Sequence, residues 1–132
     1  MKLIVCLDDK NGMTFNNRRQ SRDVMVIRDI EDVTNNNELY ITEYSKPLFE
    51  NECYKIATSV CEVCNLDCYF FNETEMVSGV EDKIDTIIVY RWNRIYPSSV
   101  IFDLDLSKYT IVDTKDFKGN SHDNITRIMY IK

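Results

Sequence analysis

Three of the chain's seven arginines, Arg18, Arg19 and Arg22, fall in one short polar stretch, and Asp23 follows directly. Forked guanidinium groups at this density suit a phosphate or a carboxylate. Asp23 would serve as a proton donor if it were buried beside apolar surface, which raises a carboxyl pKa. The competing reading is internal. Arg18, Arg19, Arg22 and Arg28 could pair with Asp8, Asp9, Asp23 and Asp29, which would make the loop part of the fold. A carboxylate at a helix start also needs no catalytic explanation.

Other groupings carry weaker chemistry. Cys61, Cys64 and Cys68 offer three thiols, but a thiolate metal site wants four ligands, and neither Cys6, Cys53 nor His122 stands at a motif spacing. Free cysteines at apolar positions pack as small hydrophobes, so no metal is expected. Asp8 and Asp9 with Asp123 could hold a divalent cation for hydrolysis, yet acids at strand ends are common stoppers. Tyr90, Trp92 and Tyr96 around Arg91 and Arg94 form an aromatic-basic group suited to stacking a base or anchoring a protein partner. A strand packing on the core would look the same.

The formal net charge of -6 disfavours direct nucleic-acid binding, which needs a clustered cationic surface. The 132 residues are one domain's worth, expected over 1–132, with room for a real core. The apolar run Leu3 to Leu7 is too short to span a membrane, and no signal peptide is evident. A cytoplasmic protein with reduced cysteines is expected.

The elements that must position these residues follow from periodicity. Lys2 to Leu7 reads as a strand buried on both faces, closed by Asp8-Asp9 and the Asn11-Gly12 turn. A polar loop runs to Gln20. Ser21 caps a helix with Asp23 in its first turn, and Val26, Ile27, Ile30 and Val33 supply its apolar face. The polar run Thr34 to Asn37 ends it. Glu38 to Thr42 is a short strand. Phe49, Cys53, Ile56, Ala57, Val60, Cys61 and Cys64 then recur at helical spacing, which predicts a long helix from Ser45 to Asn65. Strands are expected at Asp67 to Phe71, Thr86 to Tyr90, Tyr109 to Asp113 and Ile125 to Ile131, with a turn at Lys118-Gly119-Asn120. The fold class is α/β, with a mixed, mainly parallel sheet, an antiparallel C-terminal edge and two main helices.

This layout resembles dihydrofolate reductase. The likeness rests on the opening strand running into Asn11-Gly12-Met13, on Asp23 at the first helix, on the stretch Ile101-Phe102-Asp103-Leu104-Asp105-Leu106 with the strand after it, and on the closing strand. The resemblance implies that Asp23 stands where the family keeps its pterin-binding carboxylate. It also marks departures. Asn72-Glu73-Thr74-Glu75 replaces the glycine pair that admits a pyrophosphate, and Glu43-Tyr44-Ser45-Lys46-Pro47 replaces the family's Gly-Arg-x-Thr helix start. The tryptophan after the first loop is missing, and the chain is shorter than a working reductase, with the deficit in the middle. The fold is implied without the reaction, and no cofactor is expected. The strings Asp8-Asp9-Lys10-Asn11-Gly12-Met13 and Arg18-Arg19-Gln20-Ser21 are also similar to those of small bacterial proteins sometimes labelled ribonuclease Z. That label implies several metal-binding histidines, and His122 is the only histidine here.

The reading that results leans away from an enzyme. It is a small acidic module that binds a protein partner through its acidic surface or through Tyr90, Trp92, Arg94 and Tyr96. The partner class suggested by charge is a nucleic-acid-binding protein that such a module would inhibit. The alternative is an enzyme or ligand binder acting on a pterin-like or phosphorylated small molecule, with Arg18, Arg19 and Arg22 as ligand contacts and Asp23 as the catalytic acid.

Overall fold

A computed structural model describes residues 1–35 and 37–132 of the chain. The strands are β1 (Lys2–Leu7), β2 (Gly12–Phe15), β3 (Arg18–Arg19), β4 (Leu39–Ile41), β5 (Lys55–Ile56), β6 (Tyr69–Asn72), β7 (Thr86–Arg91), β8 (Val100–Ile101), β9 (Thr110–Phe117) and β10 (Ile125–Ile131). The α-helices are α1 (Val24–Val33) and α2 (Val60–Val63). The main sheet has the order β5-β4-β6-β1-β7-β10-β9. Its first five strands are parallel, and β10 and β9 close it antiparallel. This is the mixed, mainly parallel sheet with an antiparallel C-terminal edge that the element order dictates.

The continuous apolar runs are explained by two cores. Along β1, Leu3, Val5 and Leu7 enter one buried cluster and Ile4 the other. The same alternation separates Ile87 and Val89 from Ile88 and Tyr90 on β7. A strand buried on both faces has no polar side, so it reads as a solid hydrophobic run. Helix α1 covers one face with Val26, Ile27 and Ile30.

The other face differs from expectation. The predicted helix from Ser45 to Asn65 is instead a 3-10 segment at Glu43–Leu48, the edge strand β5 and the single turn α2. Pro47 sits inside the 3-10 segment, and Phe49 leaves it with extended backbone. A proline removes the N–H that a continuing α-helix needs. Lys55 and Ile56 then pair with Tyr40 and Ile41, so the chain spends this stretch adding a strand to the sheet. Cys53, Ile56 and Cys61 are exposed rather than on a buried stripe. Val60, Val63 and Cys64 do reach the core. Asn36, in the polar run that ends α1, lies outside the described residues.

The opening loop is also more ordered than a loop. β2 and β3 form a hairpin whose turn residues Asn16 and Asn17 both take positive φ, 49° and 62°. Asparagine tolerates that region, which the tight hairpin turn requires. β8 pairs on the far side of β2 and completes a small three-stranded sheet. Among the described residues, no helix is long and apolar enough to cross a membrane.

Candidate functional site

The hairpin is fixed from below by Asp8, at the end of β1. Asp8 is buried, and its carboxylate accepts from the N–H groups of Lys10, Gly12 and Tyr96 and from Gln20 Nε2. Burial alone would raise its pKa, but these donors outweigh burial and hold it below the usual aspartate value. Gly12 must be glycine here, because a Cβ would lie 2.6 Å from Gln20 Nε2 and 2.9 Å from Asp8 Oδ2.

The arginines divide into two kinds. Arg19 makes a two-pronged ion pair with Glu73, Nε to Oε2 at 2.9 Å and Nη2 to Oε1 at 3.0 Å. It also donates to the Tyr44 carbonyl and lies over the Tyr44 ring at 4.7 Å. Ser45 Oγ donates to Glu73 at 2.7 Å. This cluster sits where β6 ends, so Arg19 belongs to the fold, with a partner 54 residues away rather than among the neighbouring aspartates. Arg18 and Arg22 are exposed, and among the described residues neither side chain has an ion-pair partner.

Between the hairpin and the Tyr96-Pro97 segment lies a cleft of about 470 Å³ lined by Phe15, Asn16, Arg18, Arg19, Gln20, Tyr96 and Pro97. Gln20 gives it a specific feature. Its Nε2 donates to Asp8 Oδ2 at 3.1 Å and to the Pro97 carbonyl at 3.3 Å. Both are acceptors, so the amide cannot be turned round. Gln20 Oε1 is therefore held as a buried acceptor without a protein partner. The hollow near Met1 and Lys83 has neither arginine nor aromatic ring, and the one near Arg28 and Asp32 combines Arg28 with another buried orphan acceptor, Glu31 Oε2, but has no aromatic ring.

Asp23 is the N-cap of α1, two residues after the expected cap at Ser21. Its side chain has no exposure. It accepts from the N–H groups of Met25, Asn120 and Ser121, from Ser121 Oγ, and from His122 Nδ1 at 3.0 Å. Burial would raise the carboxyl, but the hydrogen bonds from Asn120, His122, Met25 and Ser121 overcome it and hold the group far below the carboxylate range. The chain's own donors occupy the Asp23 carboxylate, and the residue lines a hollow of about 280 Å³ together with Arg22, Val24, Ile27, Pro47 and Leu48. The same bonds favour the ionised carboxylate over a neutral proton donor. Gly119 permits the approach, since a Cβ there would sit 2.5 Å from Asp23 Oδ2.

His122 was not marked as functional by any sequence pattern. It is buried, stacks on Trp92 with ring centroids 4.8 Å apart, and places Nε2 3.1 Å from Ser21 Oγ and 3.0 Å from Tyr96 Oη. The partner 99 residues away has no spacing to reveal it. The only hint in the sequence is the turn Lys118-Gly119-Asn120 just before it.

The aromatic-basic patch does not form a surface. Tyr90 has no exposure and donates to Asp29 Oδ2 at 2.6 Å, and Trp92 is buried against His122. Tyr96 is half-buried, and of the four proposed contacts Arg94 alone is exposed. The cause is β7, which is buried on both faces. The Asp8, Asp9 and Asp123 grouping fails geometrically, because Asp8 is consumed by internal donors while Asp9 and Asp123 are exposed. Among the described residues no three His, Cys, Asp or Glu side chains gather as a metal-binding group.

The fold is that of dihydrofolate reductase. The chain superposes on dihydrofolate reductase from Enterococcus faecalis, a structure complexed with NADP(H) and RAB-propyl, with a TM-score of 0.69 and 11% identity. The match covers 98% of this chain and 94% of that one, so the likeness runs end to end. No family model matches the chain, and no curated protein does.

Proposed function

We propose that this chain is a small-molecule-binding protein that takes an anionic, ring-bearing ligand in the hairpin cleft. The observation that carries the reading is Gln20, which lines the cleft with its buried Oε1 lacking a partner among the described residues, beside the unpaired Arg18. A buried acceptor without a partner is costly and asks for a donor. A heterocyclic N–H would supply one once the Gln20 side chain shifts to open Oε1 to the cleft, Phe15 and Tyr96 offer ring faces, and Arg18 meets a phosphate or carboxylate. A pterin-like or phosphorylated heterocycle has this chemistry. Reduced nicotinamide nucleotide is a poor fit, because the β6 end that the resemblance assigns to pyrophosphate is filled by Glu73 and Arg19.

The test is calorimetric titration with adenosine monophosphate, folate and reduced nicotinamide nucleotide, beside melting curves. At least one of the first two should bind and the last should not. Arg18→Ala should abolish binding while changing stability by no more than about 0.5 kcal/mol. Arg19→Ala should instead lower stability by about 2 kcal/mol, since Glu73 is left mostly buried without its cation. Binding that survives Arg18→Ala would refute the assignment.

A protein partner is the second reading, and one observation favours it. Strand β9 is the outer edge of the main sheet, with Ile111 and Val112 about half exposed. Such an edge can accept a strand from another chain. Ligand binding at the cleft separates the two readings.

A further inference from the structure

Beyond ligand binding, the cluster around His122 has the makings of a reaction centre. Ser21 Oγ, His122 Nε2, His122 Nδ1 and Asp23 Oδ2 form a continuous line, with spacings of 3.1 Å and 3.0 Å. The carboxylate is held ionised by backbone donors, so it accepts from Nδ1 and leaves Nε2 as the basic nitrogen. Stacking on Trp92 fixes the ring plane. Among the described residues, Ser21 Oγ has no side-chain or backbone partner other than His122. Asp23 already has backbone donors enough to cap α1, so the imidazole and the serine are additions that the capping role does not need. Ser21 is half-buried and directly follows Gln20, one of the residues that line the cleft.

We propose that Ser21, His122 and Asp23 act as nucleophile, base and positioning carboxylate, and that the chain transfers or hydrolyses small acyl esters. In the first half, Ser21 Oγ bonds to the acyl carbon and its proton passes to His122 Nε2. The bond to the leaving alcohol breaks, and that alcohol takes the proton from Nε2. In the second half, water attacks the Ser21 ester by the same route, releasing the acid and restoring the serine. Asp23 stays ionised throughout and stabilises the imidazolium. Tyr96 Oη also reaches Nε2, but the single lone pair can accept from only one hydroxyl at a time.

The experiment is incubation of the full chain with a fluorophosphonate, followed by intact mass and peptide mapping. The reagent loses fluoride as an Oγ–P bond forms. One adduct per chain is expected, on Ser21, with none in Ser21→Ala. Tyr96→Phe should keep the adduct. His122→Gln should slow it by roughly 100-fold or more. Should His122→Gln melt without cooperativity, p-nitrophenyl acetate decides alone: wild type gives a burst of one equivalent of nitrophenolate and Ser21→Ala gives none. No adduct, an adduct on Tyr96, an unchanged rate in a folded His122→Gln, or the same burst in both chains would overturn the assignment. Loss of ligand binding in Arg18→Ala leaves these outcomes untouched, so the two proposals fail separately.

Discussion

Asp23→Ala should destabilise the chain by about 3–5 kcal/mol. Three backbone N–H groups, those of Met25, Asn120 and Ser121, would lose their acceptor at once. The turn before β10 would also lose its only described tie to the start of α1 other than Ser121 Oγ on the Arg22 carbonyl and the Ser21–His122 contact. An ordinary N-cap loss is about 1 kcal/mol, and the remainder is the cost of stranding buried donors. Asp23→Asn keeps one acceptor oxygen and should cost less. Urea unfolding monitored by circular dichroism measures both, and a loss below about 1 kcal/mol for alanine would contradict the geometry. The same carboxylate sets an acid limit. Asp23 and Asp8 both have folded pKa values below the unfolded value of about 4. Their contribution is complete above that value and is lost as pH falls through the depressed folded values, so the melting temperature should drop on acidification below about pH 4.

Val60→Asp should cost roughly 3 kcal/mol or more. Val60 is 2% exposed and opens α2, where its N–H donates to the Glu75 carboxylate at 3.0 Å. Burial already raises the Glu75 pKa, against the pull of that hydrogen bond, and among the described residues no cation pairs with Glu75. Unchanged thermal melting would mean that Val60 does not face the core.

Val60 also shows what periodicity can and cannot tell. Its burial was legible from the sequence, but the long helix assigned to it was not real. Spacings of three and four residues in Phe49, Cys53, Ile56, Val60 and Cys64 match a helix by count. Yet Pro47 keeps the first turn from continuing as an α-helix, and the β-branched Ile56 joins a strand whose pairing with β4 decided the matter. The strands β1 and β7 were legible because two-sided burial leaves an unbroken apolar run, and β10 from its density of β-branched and aromatic residues. Helix α1 was legible from Val26, Ile27 and Ile30, one face of a single amphipathic period.

The site was legible only in part. Arg18, Arg19, Arg22 and Asp23 could be marked because they cluster within one stretch, whereas nothing singled out Gln20 between them. What each does depends on partners far along the chain. Glu73 claims Arg19, and His122 claims Asp23, across separations no motif encodes. The expected surface role of Tyr90 and Trp92 failed for the opposite reason, since aromatic residues beside arginine look alike in a binding patch and in a core strand.

The most direct test of the central claim is a nitrogen-15 NMR titration of the chain with inorganic phosphate, adenosine monophosphate and folate. Saturable shifts confined to the amides of Phe15 to Gln20 and Tyr96, and lost in Arg18→Ala, are the predicted result. No shift with any of the three, or shifts centred away from the hairpin around Met1 and Lys132, would contradict a ligand site in this cleft.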